Sequence, residues 1–485
     1  MINNHISINY KFLFHLTVFF ICTFFLGKLT PFAPLTPYGM NVAGVLLGVI
    51  YAWIFIDIIW PSMIGLVAIA ALDIMPVTEL FSKGFGNSTT VMMLFIFVFT
   101  AILDKNGVTK WISMRIMSAK WVENKPWLLT FIFLFAVSIL AGLSSATPTT
   151  IIGWSLLYNI FNVCNYKKRE GYTIMMVIGV VFASQLGMTL IPFKGLPLII
   201  ISSYEKISQS ILNYPIYMCI TFSSCVLCLL AFILIGKFIF RPDLSKLKNL
   251  DIKTLITENE MKLSKIQKIL LVFLFAFMML MILPCILPDT LAFSVFLKKI
   301  GNPGSCIFLV ALLCMIKIDN KSLCPWKTMV NEGVAWHIIF IISFIIPLSS
   351  SVSNPQSGIT DFILYYLTPF FKNSSTLVFL MCLGIIIAVL IQFINNTATG
   401  VIFVTIAYTF TFNNNSLAEL SVILTTICCS FAFLTPASSA AAALLHNNIW
   451  VTTKDIWKIA PILIAAEIII ATTTIISASK IIYKL

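Results

Sequence analysis

Two short polar stretches interrupt sequence that is otherwise strongly apolar. Residues 144–150 (SSATPTT) and 395–400 (NNTATG) are rich in hydroxyl and amide groups, and each separates two long apolar runs. At bilayer depth, backbone that leaves regular structure must be buried in protein or line a polar cavity. Hydroxyl and amide donors can replace the hydration shell of an anion, and their oxygens can bind a hard monovalent cation. We therefore interpret the two stretches as the tips of two re-entrant helical hairpins that face one binding site.

A second pair of interruptions follows the two tips. Gly and Pro punctuate residues 184–197, and a Thr-Pro pair with two serines interrupts residues 430–443. Gly and Pro weaken a helix. Unwound backbone at these places is expected to offer carbonyls to a cation and half-helix N-termini to an anion. The sequence thus predicts two broken helices in addition to the two hairpins.

The order of these features repeats along the chain. Thr147 and Thr397 are 250 residues apart, and Gly107 and Gly358 are 251 residues apart. In each half, a turn is followed by an amphipathic stretch, an apolar arm, a polar tip and another helix. Such a repeat is typical of secondary transporters. When the basic loops are placed on one side of the membrane, the two hairpins enter from opposite faces, which predicts an inverted repeat.

Composition and charge indicate an all-α polytopic membrane protein. Of the 485 residues, 59% are apolar and 10% are charged, and the mean hydropathy is +1.01, which is outside the range of soluble domains. The net charge of +13 is concentrated in loops such as 167–169 and 241–268, whereas the loops 31–40 and 413–420 contain no Lys or Arg. This asymmetry places the basic loops in the cytoplasm and argues against a nucleic-acid partner. We expect a multi-pass protein of the cell (inner or plasma) membrane, surrounded by the lipid bilayer.

Four segments follow from this reading. Residues 1–83 are predicted to form N-terminal scaffold helices, residues 84–240 the first repeat, and residues 241–268 a cytoplasmic linker. Residues 269–485 are predicted to form the second repeat together with further scaffold helices.

No motif for catalysis or for a structural metal is apparent. The four histidines lack metal-ligand spacing, and the twelve cysteines lie mostly in apolar runs, where packing is their usual role. Hydroxyl groups in membrane helices often serve only to link helices. Two clusters at equivalent repeat positions nevertheless favour a binding site. We expect a chain that is not an enzyme and has no cofactor.

The tips resemble those of the divalent anion/sodium symporters, which carry dicarboxylates, citrate or sulfate. In that family each tip carries Ser-Asn-Thr, usually extended to Ser-Asn-Thr-Ala-Thr-Thr. Residues 395–400 match this pattern at their four interior positions, and residues 145–150 also match at four. Residues 430–436 look like the family's stretch before its second Thr-Pro-Pro. In layout, the resemblance covers residues 84–482.

The resemblance implies an elevator transporter, usually a homodimer, with scaffold helices separate from a transport domain that holds both hairpins. It further implies that a small anion, a di- or tricarboxylate, is carried by symport with sodium as the coupling ion. Substrate contacts carried over to this sequence are Ser145, Thr147, Asn396, Thr397 and Ser439. Cation contacts carried over in the same way are Ser145, Asn395, Asn396, Ser438 and Ala440.

Two departures from the family pattern fall in the first half. Ala146 replaces the family's tip Asn, and Lys194 stands where the family places a Ser or Thr that touches the substrate. The lysine has a structural reading, in which it reaches an interface or pairs with a loop carbonyl. In the functional reading, its ammonium contacts the substrate as a fixed countercharge and replaces a sodium ion that Ala146 no longer helps to bind. We therefore expect the sodium stoichiometry to be reduced or lost.

Other functions remain open at this stage. Transport of sulfate or an arsenite-like anion, or exchange without sodium coupling, would keep the same fold. Sodium/proton antiport needs a buried carboxylate, and the interruptions contain none. A membrane-embedded enzyme is disfavoured because the sequence shows no clustered acid, base or metal-binding groups.

Overall fold

The computed structural model describes residues 10–57, 59–117, 125–247, 263–288, 290–318, 321–352, 354–359, 361–362, 365–366, 375–392, 396–411, 414–436 and 438–483. Helices dominate these residues. Two short strands, β1 (Lys317–Ile318) and β2 (Lys321–Ser322), pair as a small antiparallel hairpin. The prediction of an all-α chain is confirmed.

The first half of the described chain contains eleven α-helices, and a π-helical turn (Gly236–Phe240) extends the last of them. Short 3-10 turns lie at Leu26–Lys28 and Ser245–Leu247. The α-helices are α1 (Tyr10–Phe25), α2 (Pro37–Phe55), α3 (Ile59–Ala71), α4 (Val77–Lys83), α5 (Ser88–Lys105), α6 (Val108–Met117), α7 (Pro126–Leu143), α8 (Ala146–Val163), α9 (Gly171–Gly187), α10 (Gly195–Ser208) and α11 (Tyr214–Ile235).

The described part of the second half adds nine α-helices. A 3-10 turn lies at Pro355–Ser357, and a π-helical turn (Ser479–Tyr483) follows the last helix. The α-helices are α12 (Lys265–Ile286), α13 (Ala292–Met315), α14 (Trp326–Gly333), α15 (Trp336–Val352), α16 (Thr376–Leu390), α17 (Asn396–Thr411), α18 (Asn415–Cys428), α19 (Ala440–His446) and α20 (Thr453–Ala478).

Eight helical stretches among the described residues are long and apolar enough to cross a bilayer, and the bent pair α14–α15 makes a ninth candidate. Each has at least 18 residues, which corresponds to roughly 27 Å of helix or more and approaches the hydrocarbon thickness of a bilayer. The chain is therefore a multi-pass membrane protein, as predicted. Among the described residues, α3, α9, α16, α18 and the part of α17 at Thr399–Thr411 are apolar but shorter.

The order of the helices repeats on the two sides of the linker. In the first half, the pair α7–α8 is followed by α9, a break, α10 and α11. In the second half, the pair α16–α17 is followed by α18, a break, α19 and α20. The opposite orientation of the two repeats and the division into scaffold and transport domains stay predictions.

The breaks of the first half are shorter than the sequence predicts. Only Ser144 and Ser145 lie between α7 and α8, instead of the predicted tip 144–150. The first unwound loop covers residues 188–194 instead of 184–197. The reason is that Pro148 and Pro197 each lie in the first turn of a helix, where proline needs no hydrogen-bond partner for its missing N–H.

The breaks of the second half are also shorter than the sequence predicts. α17 already begins at Asn396, inside the predicted tip 395–400. The second unwound loop ends at Ser439, because the run Ala440–Ala443 starts α19 instead of continuing the predicted loop 430–443. Alanine has the highest intrinsic helix propensity, so four alanines favour a helix once Ser439 has capped it.

Small residues bring the first hairpin close to α9. A Cβ atom at Gly187 would lie 2.1 Å from the carbonyl oxygen of Ser138 in α7, so the two backbones can approach only because this residue is glycine. The Ser138 hydroxyl also donates to the carbonyl of Ala183 at 2.9 Å. The first hairpin arm is thus fixed against the helix that leads into the first unwound loop.

Charged pairs lie at helix ends and in loops. Lys105 donates to Glu332 at 3.0 Å, and Lys246 contacts Glu170 at 2.9 Å. The hydrogen bond from Lys246 lowers the pKa of the Glu170 carboxyl. These positions agree with the predicted placement of basic loops outside the apolar layer.

Candidate functional site

The first hairpin tip consists of two serines. Ser144 is buried, and its hydroxyl donates to Oδ2 of Asp104 in α5 at 2.7 Å. Ser145 is exposed, has extended backbone at the N-cap of the 18-residue helix α8, and makes no side-chain capping hydrogen bond. Helix α8 therefore starts next to an accessible residue, and no side chain of its N-cap residue bonds its first N–H groups. A helix N-terminus of this kind carries partial positive charge and suits an anion.

Three threonines occupy the first turns of α8. The Thr150 hydroxyl donates to the carbonyl of Ala146 at 2.9 Å and lies 2.8 Å from the Ser184 hydroxyl of α9. Thr149 Oγ1 is buried and has no hydrogen-bond partner among the described residues. Thr147, the predicted substrate contact, is half-buried. Thr150 thus fixes the tip to α9, while Thr147 stays close to the accessible start of α8.

Lys194, the last residue of the first unwound loop, bonds the backbone next to the first tip. Its Nζ donates to the carbonyl of Leu143, the last residue of α7, at 2.7 Å. Carbonyls at a helix C-terminus lack partners within the helix, and the helix dipole favours a cation there. Lys194 also interacts electrostatically with Asp104, the acid that holds Ser144. Lys194 thus pairs with a backbone carbonyl at the end of a helix and not in a loop, and both its structural and its substrate-contacting readings stay predictions.

The second tip lies against the first repeat. Asn396 is half-buried and Thr397 is buried at the start of α17, whereas Asn395 lies outside the described residues. A Cβ atom at Gly400 would lie 2.4 Å from Cδ1 of Ile200 in α10. The missing side chain at Gly400 lets the helix of the second tip pack directly on the helix that follows the first unwound loop.

Ser438 and Ser439 direct their hydroxyls toward the second unwound loop itself. Ser438 donates to the carbonyl of Thr435 at 2.7 Å. Ser439 donates to the carbonyl of Ala432 at 2.7 Å and accepts the backbone N–H of Ala442 at 3.1 Å. Both serines therefore stabilise unwound backbone in this structure, and their contacts with substrate or cation stay predictions.

Ala440 is the first residue of α19. Its side chain has no polar atom, so only its carbonyl could serve the predicted cation contact. That contact also stays a prediction.

Lys194 and Ser439 occupy equivalent positions in the two repeats. Each directly precedes the helix that follows a break, and each has extended backbone, with φ/ψ of −146°/150° and −159°/161°. Ser439 caps its helix, but Lys194 makes no such hydrogen bond, because an ammonium has no acceptor. At this matched position, the first repeat carries an ammonium where the second carries a hydroxyl.

Two buried glutamines hold the second unwound loop and were not predicted. Gln185 of α9 donates to the carbonyl of Ala432 at 2.8 Å and to the Ser439 hydroxyl at 2.9 Å. Gln392, just after α16, donates to the carbonyl of Phe431 at 2.8 Å. Gln185 lies inside the predicted break 184–197 and Gln392 lies three residues before the predicted tip 395–400, but no motif marks either residue. Hydrogen bonds thus connect α9 and the arm of the second hairpin to one loop.

A third residue that was not predicted is Glu467 in the middle of α20. It is 1% exposed, and its Oε2 has no hydrogen-bond partner among the described residues. The thiols of Cys228 in α11 and Cys428 in α18 are among its neighbours. Its signal in the sequence is that no other acidic residue lies between Asp455 and Leu485. An ionisable group in the apolar layer is costly, and it indicates function by default.

Comparison with known proteins adds independent information. Residues 46–429 match the family model described as citrate transporter. Among solved structures, the YdaH transporter of Alcanivorax borkumensis is similar with a TM-score of 0.56, at 11% identity, over 83% of this chain and 87% of that chain. At this identity the likeness concerns the fold alone. No curated protein matches the sequence.

The family match includes both hairpin tips and the first unwound loop, and it ends where the second unwound loop begins. The chain is accordingly a carboxylate-type secondary transporter of the cell membrane and not an enzyme. Since the match extends over most of the sequence, the chain belongs to the citrate transporter family.

Proposed function

We propose that this chain carries a small di- or tricarboxylate anion across the membrane by an elevator-type mechanism driven by a coupled cation. The observation that carries the proposal is the accessible N-terminus of α8 at the first tip, which has no side-chain cap. Helix N-termini and hydroxyl donors together can replace the hydration of carboxylate groups.

The tips themselves offer hydrogen-bond donors and no acidic side chain. The segments 144–150 and 395–400 contain no Asp or Glu, and the side chains of Lys194 and Asp104 both lie next to the first tip. Thr147, Asn396 and Thr397 would donate to carboxylate oxygens from the two tips. A substrate with two or three carboxylates can contact both tips at once, which a monovalent anion of similar charge density cannot do as well.

The elevator mechanism requires the two tips and the unwound loops to move together. Bonds such as Lys194 to Leu143 and Gln185 to Ser439 join these parts to one another, which supports a rigid transport unit. We further propose that the chain works as a homodimer, as the resemblance implies, with the scaffold helices at the interface.

Sodium is the proposed coupling ion, with a weaker dependence than the family pattern. The first tip has Ala146 in place of an amide and already holds the ammonium of Lys194. The second tip keeps the amide of Asn396, and the second unwound loop, which Gln392 joins to the arm of the same hairpin, contains Ser438, so oxygen ligands for sodium are more numerous in this half.

A proton is the second candidate for the coupling ion, and Glu467 favours it. Its carboxyl is buried, lacks a hydrogen-bond partner at Oε2, and lies next to Cys428 at the end of α18. A carboxyl in such a site can bind and release a proton as its access to water changes. This candidate keeps the same substrate and the same site.

The first prediction tests the proposed substrate. Purified protein in proteoliposomes is expected to take up radiolabelled citrate or succinate in preference to sulfate, because both tips offer donors for carboxylate groups. Sodium is expected to stimulate this uptake without a steep, multi-ion dependence. Uptake of sulfate alone, or of none of the three anions, would contradict the proposal.

The second prediction concerns the tip hydroxyls. Thr147→Val and Thr397→Val each remove one donor to a charged group, and such a hydrogen bond contributes about 1.5–3 kcal/mol, so affinity should fall on the order of tenfold or more. Thr473→Val is the matched control, since Thr473 is exposed on α20 and bonds only its own helix. Unchanged KM for citrate in both tip variants would refute the assignment.

The third prediction separates the two readings of Lys194. If the ammonium acts as a countercharge, Lys194→Ser should greatly weaken anion binding, and Lys194→Ser with Ala146→Asn should restore transport that needs more sodium. Citrate affinity and sodium activation of uptake measure these effects. If Lys194→Ser lowers thermal stability but leaves affinity and cation dependence unchanged, the lysine is structural only.

The fourth prediction tests the proton as coupling ion. Glu467→Gln removes the proton site but keeps the shape of the side chain. If Glu467 couples transport to protons, the variant should lose stimulation of uptake by an inward proton gradient and keep the exchange of internal for external citrate. A variant that responds to the gradient like wild type rules out this role of Glu467.

A further inference from the structure

The second unwound loop needs hydrogen-bond partners from outside its own segment. Between the end of α18 at Cys428 and the start of α19 at Ala440, the backbone leaves the helix, and turn hydrogen bonds such as that from the Phe431 N–H to the Cys428 carbonyl satisfy only part of its polar groups. In an apolar layer without water, each unsatisfied backbone group costs several kcal/mol. The conformation of this loop therefore depends on the side chains that supply those partners.

Gln392 supplies several of them at once. Its Nε2 donates to the carbonyl of Phe431 and to that of Ala388, each at 2.8 Å, and its Oε1 accepts the N–H of Leu434 at 3.0 Å. Its own carbonyl accepts the hydroxyl of Thr435. Because Gln392 is 3% exposed, water does not compete for these bonds. One residue at the end of the hairpin arm thus holds the loop from Phe431 to Thr435.

Gln185 holds the same loop from the other repeat. It is 2% exposed, and its two N–H groups are both used, one by the Ala432 carbonyl and one by the Ser439 hydroxyl. Its neighbour Ser184 bonds Thr150 in the helix of the first tip. The first tip is therefore connected to the second loop through two successive residues of α9.

The two glutamines connect this loop to both hairpins. Gln392 lies four residues before Asn396, so its bonds to the loop limit how far the start of α17 can lie from that loop. Gln185 likewise restrains the distance between the loop and the first tip, because its neighbour Ser184 bonds Thr150 of α8. We propose that Gln185 and Gln392 are positioning residues, which fix the distance between the second unwound loop and the two tips and so the geometry of the anion site. The inference rests on the proposed function of the tips.

A structural role and a positioning role of the two glutamines predict different effects of their substitution. Polar side chains in membrane helices commonly link helices, and loss of such a link lowers stability without a specific effect on affinity. A positioning role predicts a higher KM at similar maximal rate per folded protein, because a displacement of about 1 Å in a binding group weakens the contacts that depend on it.

The experiment compares Gln185→Met and Gln392→Met with Gln267→Met. Methionine keeps the length of the side chain and removes the hydrogen bonds. Gln267 is a matched control, since its amide also joins two backbone groups, donating to the Asn106 carbonyl and accepting the N–H of Ser264, each at 3.0 Å. It lies at the start of α12, away from both loops.

Two measurements are made on each variant. Uptake of radiolabelled citrate gives KM and the maximal rate, and hydrogen exchange of the peptide that covers residues 429–439 reports on the loop. Both loop variants are expected to raise KM on the order of tenfold and to speed exchange of the peptide. Gln267→Met should change neither. Since both glutamines hold the same loop, the double variant should be less than additive.

Several outcomes overturn the inference. These are unchanged exchange, faster exchange with unchanged KM, and equal effects in the control. If a methionine variant does not purify as folded protein, Gln392→Glu and Gln185→Glu, which keep the side-chain size but lose the N–H donors, give the same comparison. If wild type carries no carboxylate, the proposed function fails, and unchanged exchange of the loop peptide then overturns the positioning role separately.

Discussion

The structure depends on one constraint: backbone that leaves helical geometry inside an apolar layer must find its hydrogen-bond partners within the protein. In the second unwound loop, side chains provide these partners. The carbonyls of Phe431, Ala432 and Thr435 accept hydrogen bonds from the side chains of Gln185, Gln392, Ser438 and Ser439. These bonds are also what connects the loop to the hairpins. The same interactions that make a broken helix tolerable therefore determine where the groups of the candidate site lie.

The two repeats meet this constraint with different chemistry. In the first, an ammonium at position 194 bonds the C-terminal carbonyl of α7, and a carboxylate at position 104 holds Ser144. In the second, the equivalent end of the hairpin arm is held by the neutral amide of Gln392. A hydrogen bond made by a charged group is strong where the dielectric constant is low. It also produces an electric field at the first tip, which the second tip, held by a neutral amide, lacks.

Much of this arrangement could be predicted from the sequence, since Gly, Pro and clustered hydroxyls are local signals. They marked the helix ends at residues 143–146, 187–195 and 428–440, whereas the re-entrant hairpins themselves stay predictions. The limits of the breaks were too wide, because Pro197 fits the first turn of a helix and the alanines after Ser439 form one. Gln185, Gln392 and Glu467 could not be predicted. A single polar residue in an apolar helix has the same sequence signal whether it faces lipid, another helix or an unwound loop, and only the tertiary structure decides.

The asymmetry between the repeats bears on how transport could be coupled. A sodium ion attracts an anion only while the sodium ion is bound. This conditional attraction is what links the transport of the anion to the transport of sodium. The Lys194 side chain is attached covalently, so an ammonium there can help to hold an anion, but its presence does not depend on whether a cation is bound. If it has replaced a sodium ion in the first repeat, coupling has to come from the other half of the site. In the proposed function, the amide oxygen of Asn396 and the buried carboxyl of Glu467, both in the second repeat, are the groups that would gain and lose a cation in each cycle.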